Sequence, residues 1–166
     1  MEPGEALSTA AQIAVTLAGF AGVVVVFRRE SVHEWSLVDK FRLRFLLTNS
    51  ILPLALCMIG LLLLTIEPAP TTVWQWCSGA AFVTLVLFAI TTLKILSRLD
   101  RQQLQNAHVS RFVLYFFGML GAAATLLQLY NIVVVGMFWP FFAGIVFQLT
   151  AAMVQFARIV LLPPEA

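Results

Sequence analysis

Charge is what this sequence has least of. Only 11% of its 166 residues are Asp, Glu, Lys or Arg, against 61% hydrophobic, too few to cover a soluble globule of this length with polar surface. Titratable groups are scarcest where the chain is most apolar: the expected membrane spans contain no Asp, Glu, His or Lys. An enzyme needs groups that exchange protons or hold a metal, and a proton-coupled transporter usually places an ionisable side chain within the membrane, so neither is expected. The sequence also lacks a G-x-S-x-G turn, a Walker loop and a dinucleotide fingerprint.

Cysteine is nearly absent. Cys57 and Cys77 have no metal-type spacing and read as small apolar residues. His33 and His108 fall in different polar connections with no His-x-x-His or carboxylate partner, which suits solvated loop histidines better than ligands. No metal, cofactor or nucleic acid partner is expected. Lys and Arg are missing before the first apolar run, where Glu2 and Glu5 stand, so no cleavable signal peptide is expected.

Long apolar runs are what the sequence does have. Ala6 to Phe27 is free of formal charge, and at about 1.5 Å of rise per residue it spans the roughly 30 Å hydrocarbon core of a bilayer. Its small residues Ala6, Ala10, Ala14, Ala18 and Gly22 form a slowly drifting row open to close helix contact, and this span is expected at the interior of the protein. A second span is expected over 45–66, ended by Glu67 and the Pro68-Ala69-Pro70 turn. Pro53 should kink it by freeing the carbonyl of Asn49, with neighbouring side chains satisfying the backbone. Ahead of it, Ser31 to Arg44 reads as an amphipathic helix, opened by a Ser31–Glu34 capping box, that lies at the headgroups or continues straight into the span.

A third span, about 74–93, opens on Trp74 and Trp76 as interfacial anchors and should project beyond Lys94. From Phe112 to Ala157 no side chain is charged, a length of about 69 Å as one helix and more than twice the hydrocarbon thickness. Breaking the run at Gly136 to Trp139, with Pro140 at a first helical position, gives spans over 112–135 and 140–161. The fold class is therefore all-α, a polytopic transmembrane helix bundle forming one domain over 1–166, with five spans. Four remain open if part of that run is re-entrant or lies along the interface.

Alternation then places Arg28, Arg29, Lys40, Arg42, Arg44, Lys94, Arg98, Arg101 and Arg111 in two connections, 28–44 and 94–111, on one side, and Arg158 joins them with five spans. The positive-inside rule makes that side cytoplasmic, with the N-terminus outside and the C-terminus inside.

Neutral polar and small residues run in rows along the spans. Gly144, Gln148, Ala151, Gln155 and Arg158 recur on the fifth at spacings of four and three, Ser8, Gln12, Thr16, Gly19 and Val23 on the first, and Gly118, Gly121, Thr125 and Gln128 on the fourth. Such rows serve either as packing surfaces with interhelical hydrogen bonds or as the lining of a water-filled path. Five largely apolar spans hardly enclose a wide path alone, so a pore needs a ring of copies with the first or fifth helix on its axis. Arg28, Arg29 and Arg158 would then stand at the cytoplasmic mouth and favour anions, or else snorkel to anionic lipid heads.

The run from Ala11 to Val25, followed by Trp35-Ser36 and Asp39-Lys40-Phe41-Arg42-Leu43-Arg44, resembles the opening of a group of small bacterial membrane proteins of unassigned function. The resemblance covers the first third of the chain and implies a bacterial inner-membrane location with no stated activity. Leu17 to Ala21 also resembles the pore helix of Orai calcium channels. This chain has Phe27 where that family carries an acidic residue, and the expected orientation is opposite, so no residue roles carry over. The function expected is a homo-oligomeric passive pore for small ions in the lipid bilayer. The alternative is a structural or accessory membrane subunit that binds partners through its small-residue faces and cytoplasmic helices.

Overall fold

Residues of good helix propensity carry the first apolar run into α1 (Pro3–Phe27), which starts three positions before Ala6. Pro3 tolerates the first helical position, and Glu5 in the first turn complements the positive end of the helix dipole. This is a computed structural model that describes residues 2–27, 37–66, 72–97 and 111–161. Arg28, Arg29, the expected Ser31–Glu34 cap and the connection 98–110 lie outside the described residues.

α2 (Leu37–Ile66) runs unbroken from the amphipathic segment into the second span, the second of the two placements expected for that segment. It continues through Pro53. Nearby, Asn49 Nδ2 donates to the Phe45 carbonyl at 2.9 Å and Ser50 Oγ to the Leu46 carbonyl at 2.9 Å. Both bonds reach carbonyls one turn before the Asn49 carbonyl that the proline frees, so they thicken the backbone hydrogen bonding upstream of it.

α3 (Val73–Leu96) is closed by Ser97, whose N–H bonds to the Leu93 carbonyl. α4 (Arg111–Tyr130) passes directly into a π-helical turn, Asn131–Val135, and α5 (Phe138–Leu161) follows. The reversal between them takes only Gly136 and Met137. Gly136 has φ 62°, a left-handed conformation that costs a residue without Cβ little, and its N–H bonds to the Asn131 carbonyl at 2.9 Å. The break falls where Gly136 to Trp139 placed it, although Pro140 is the third residue of α5 and not its first. That position is also tolerated, because the first turn of a helix leaves its N–H groups without intrahelical partners.

Among the described residues, five helices are therefore long and apolar enough to cross a membrane, as the five-span expectation requires. Leu7 of α1, Cys77 of α3 and Phe141 of α5 converge on Gly60 of α2 near one end of the bundle. Phe45 and Phe88 make a tilted ring contact at 5.3 Å between centroids, and Phe20 and Phe156 one at 5.7 Å, so α2 and α3 run antiparallel and α1 and α5 parallel. Arg42, Arg44, Lys94 and Arg158 consequently share the other end, called the basic end below.

The central helix is α5, not α1. It touches each of the other four, and 44% of its apolar window is buried against 22% for α1. α1 buries one face only, through Ala6, Leu7, Ala10, Ala14, Leu17 and Ala21. The row of small residues thus holds for its first three members. A four-residue repeat then drifts about 40° per step on a helix of 3.6 residues per turn, so Leu17 and Ala21 replace Ala18 and Gly22.

Cys57 and Cys77 are both fully buried, free, and packed as apolar core residues. Trp74 is no interfacial anchor: it is buried, edge-on to Phe138 at 4.7 Å and tilted toward Phe141 at 6.2 Å. Trp76, two residues on and across the helix, is 74% exposed, and Trp139 is exposed as well.

Candidate functional site

The polar row of α5 lies inside the protein. Gly144, Gln148 and Ala151 are buried, Gln155 is 8% exposed, and Arg158 is half-buried at the basic end, close enough to Arg42 for the two charges to repel. Arg42 is itself buried and bonds to Asp39 Oδ1 at 3.2 Å. The interior also takes Gln128 and Asn131 from the α4 side, Asn49 and Ser50 from α2, and Ser78 from α3.

Two of these polar groups do structural work that the periodicity did not reveal. Gln128 Nε2 donates to the Pro140 carbonyl at 2.8 Å, crossing α5 where Gly144 has no side chain. Asn131 Nδ2 donates to Ser78 Oγ at 2.7 Å and to the Met137 carbonyl at 2.9 Å, while its Oδ1 accepts from the Met137 N–H at 3.0 Å. One amide therefore satisfies both backbone groups of Met137 at the reversal and ties α4 to α3. The available signal was an Asn five residues ahead of a Gly, a spacing that amphipathic periods do not read.

Several buried amide atoms lack partners. Both terminal atoms of Gln148, and Oε1 of Gln155 and Gln128, have no hydrogen-bond partner in the protein. On the fourth helix, Gly118 is exposed, and Gly121 and Thr125 are half-buried, with Thr125 Oγ1 bonded back to the Gly121 carbonyl at 2.8 Å. That row splits, with only Gln128 fully inside.

The polar row of α1 lies outside. Gln12, Thr16, Gly19 and Val23 are all exposed, Thr16 Oγ1 donates to the Gln12 carbonyl at 2.8 Å, and the space over Gly19 is open. The reason is angular. Ser8, Gln12, Thr16 and Val23 each stand two positions beyond a buried residue of α1, about 200° of rotation, on the helix's far side. The rows of α1 and α5 therefore do not face one another across a shared path within one protomer.

Among the described residues, no group of three or more His, Cys, Asp or Glu is arranged to hold a metal ion. No family model matches the chain, and neither a curated protein nor a solved structure matches it.

Proposed function

We propose that this membrane protein is one subunit of a homo-oligomeric passive pore for small ions, with the exposed face of α1 turned to the shared axis. The observation that carries the reading is the outward line Ser8, Gln12, Thr16, Gly19 and Val23 on a helix long enough to span the bilayer. An amide facing hydrocarbon without a partner costs on the order of 2 kcal/mol or more, a cost that neighbouring copies or water would remove. Small residues at Gly19 and Gly22 leave room for close approach or for a hydrated lumen.

In that arrangement the basic end is cytoplasmic by the positive-inside rule, with the N-terminus outside, in the inner membrane of a bacterium. Arg28 and Arg29, which follow α1 in the sequence, would repeat around the inner mouth, the half-buried Arg158 on the inward row of α5 stands apart from it, and Glu5 continues the α1 face toward the outer one. Opposite charge at the two mouths favours weak selectivity. The burial of Gln148 and Gln155 assigns them to helix packing in this reading and leaves the lining to α1.

The runner-up is a structural or accessory subunit that uses the same α1 face to grip a partner's helix. The two part in reconstituted vesicles. Gln12→Leu with Thr16→Leu should reduce ion flux severalfold while the particle keeps its mass, and Gln148→Leu with Gln155→Leu should leave flux unchanged. A strictly monomeric particle in several detergents, or flux indifferent to the α1 pair, would overturn the pore.

A further inference from the structure

α2 packs closely on α1 and α5 but stands apart from α3 at the basic end, leaving an open cleft of about 220 Å³. Phe45 and Phe88 meet across it, Thr48, Thr84 and Ile95 line its walls, and the exposed Arg44 stands at its basic end. Along α2 the lining runs from Phe41 to Leu52 and along α3 from Thr84 to Ile95, about 16 Å in each case, or roughly half of the 30 Å hydrocarbon core. The cleft is thus one leaflet deep.

Besides Arg44, its walls carry only four side-chain hydroxyls, those of Thr48, Thr84, Thr91 and Thr92. Thr84 Oγ1 donates to the Ala80 and Ala81 carbonyls and Thr91 Oγ1 to those of Leu87 and Phe88, so these hydroxyls are committed to their own helix. A polar solute would find little to bind below the mouth. An apolar chain with a negative head fits both ends of the cleft.

We infer that the α2–α3 cleft holds one acyl chain of an anionic phospholipid from the leaflet at the basic end, with the lipid phosphate paired to the Arg44 guanidinium. The lipid fills a space that would otherwise leave the Phe45–Phe88 pair bare, and it braces α3 against α2. This site is independent of the pore, because lipid binding is read whether or not the protein conducts.

The test is native mass spectrometry of delipidated protein titrated with equimolar phosphatidylglycerol and phosphatidylcholine of identical chains. The first bound lipid should be enriched about fivefold in phosphatidylglycerol, as one basic side chain at an anionic headgroup supplies. Arg44→Gln should bring the enrichment close to unity, Arg158→Gln should leave it intact, and Thr84→Phe should lower first-lipid occupancy for both lipids. Enrichment surviving Arg44→Gln, or lost equally in Arg158→Gln, would overturn the assignment to this cleft.

Discussion

Gln128 Nε2 lies 2.6 Å from the point where a Cβ on Gly144 would stand, and its Cδ lies 3.4 Å from that point. The amide is the far end of a flexible side chain, yet it is fully buried and held by the Pro140 carbonyl. Gly144→Ala should therefore expel it from that bond and lower stability by about 1–3 kcal/mol, despite the better helix propensity of alanine. Unfolding in mixed detergent micelles checks this. The double variant Gly144→Ala with Gln128→Ala should recover most of the loss, since no amide then competes for the space.

Asn131→Leu should be among the most damaging single changes in the chain. It strands the Met137 N–H, the Met137 carbonyl and the Ser78 hydroxyl together, and each stranded group costs about 1–3 kcal/mol. Ser78→Ala removes only the interhelical bond and should cost about 0.6 kcal/mol, the usual size for such bonds in membranes. The contrast is the measurement: comparable losses would mean that the amide matters for joining α3 to α4 and not for holding the reversal.

These two residues also show how far the sequence could be read. Hydropathy was enough for five helices of spanning length, because length in hydrocarbon depends on composition alone. The sequence also located the reversal at Gly136. It could not give the rotation of each helix: on α5 the row Gly144, Gln148, Gln155 faces inward, and on α1 the similar row Gln12, Thr16, Gly19 faces outward. Small-and-polar periodicity marks a face but not its partner. Trp74 misled for a related reason, since tryptophan at a span end suits a headgroup or a neighbouring helix, and only the positions of Phe138 and Phe141 decide between them.

Close approach of α1 and α2 depends on Gly60. A Cβ there would stand 2.8 Å from Leu7 Cδ1, 3.6 Å from Phe141 and 3.8 Å from the Cys77 sulfur. Gly60→Val should push the helices apart and cost about 1–3 kcal/mol, the range for overpacking. Leu7→Ala placed in the same chain should relieve part of that loss. Additive penalties in the double variant would show that the two residues do not compete for the same space.

Gln148→Leu should act in the opposite direction. Gln148 is 1% exposed and neither end of its amide has a partner in the protein, so the wild-type chain carries the full desolvation of that group. Leucine has a similar reach and no polar atom. The variant should be more stable by about 1 kcal/mol, the lower end of what an unpaired buried amide costs. Gln155→Leu should gain less, because Gln155 is 8% exposed and of its amide only Oε1 is both fully buried and without a partner in the protein. Destabilisation of more than 1 kcal/mol in Gln148→Leu would mean that the amide is satisfied by ordered water between α5 and its neighbours. That outcome would return the α5 row to consideration as the lining of a wet path, and the flux of Gln148→Leu vesicles would then decide between the two helices.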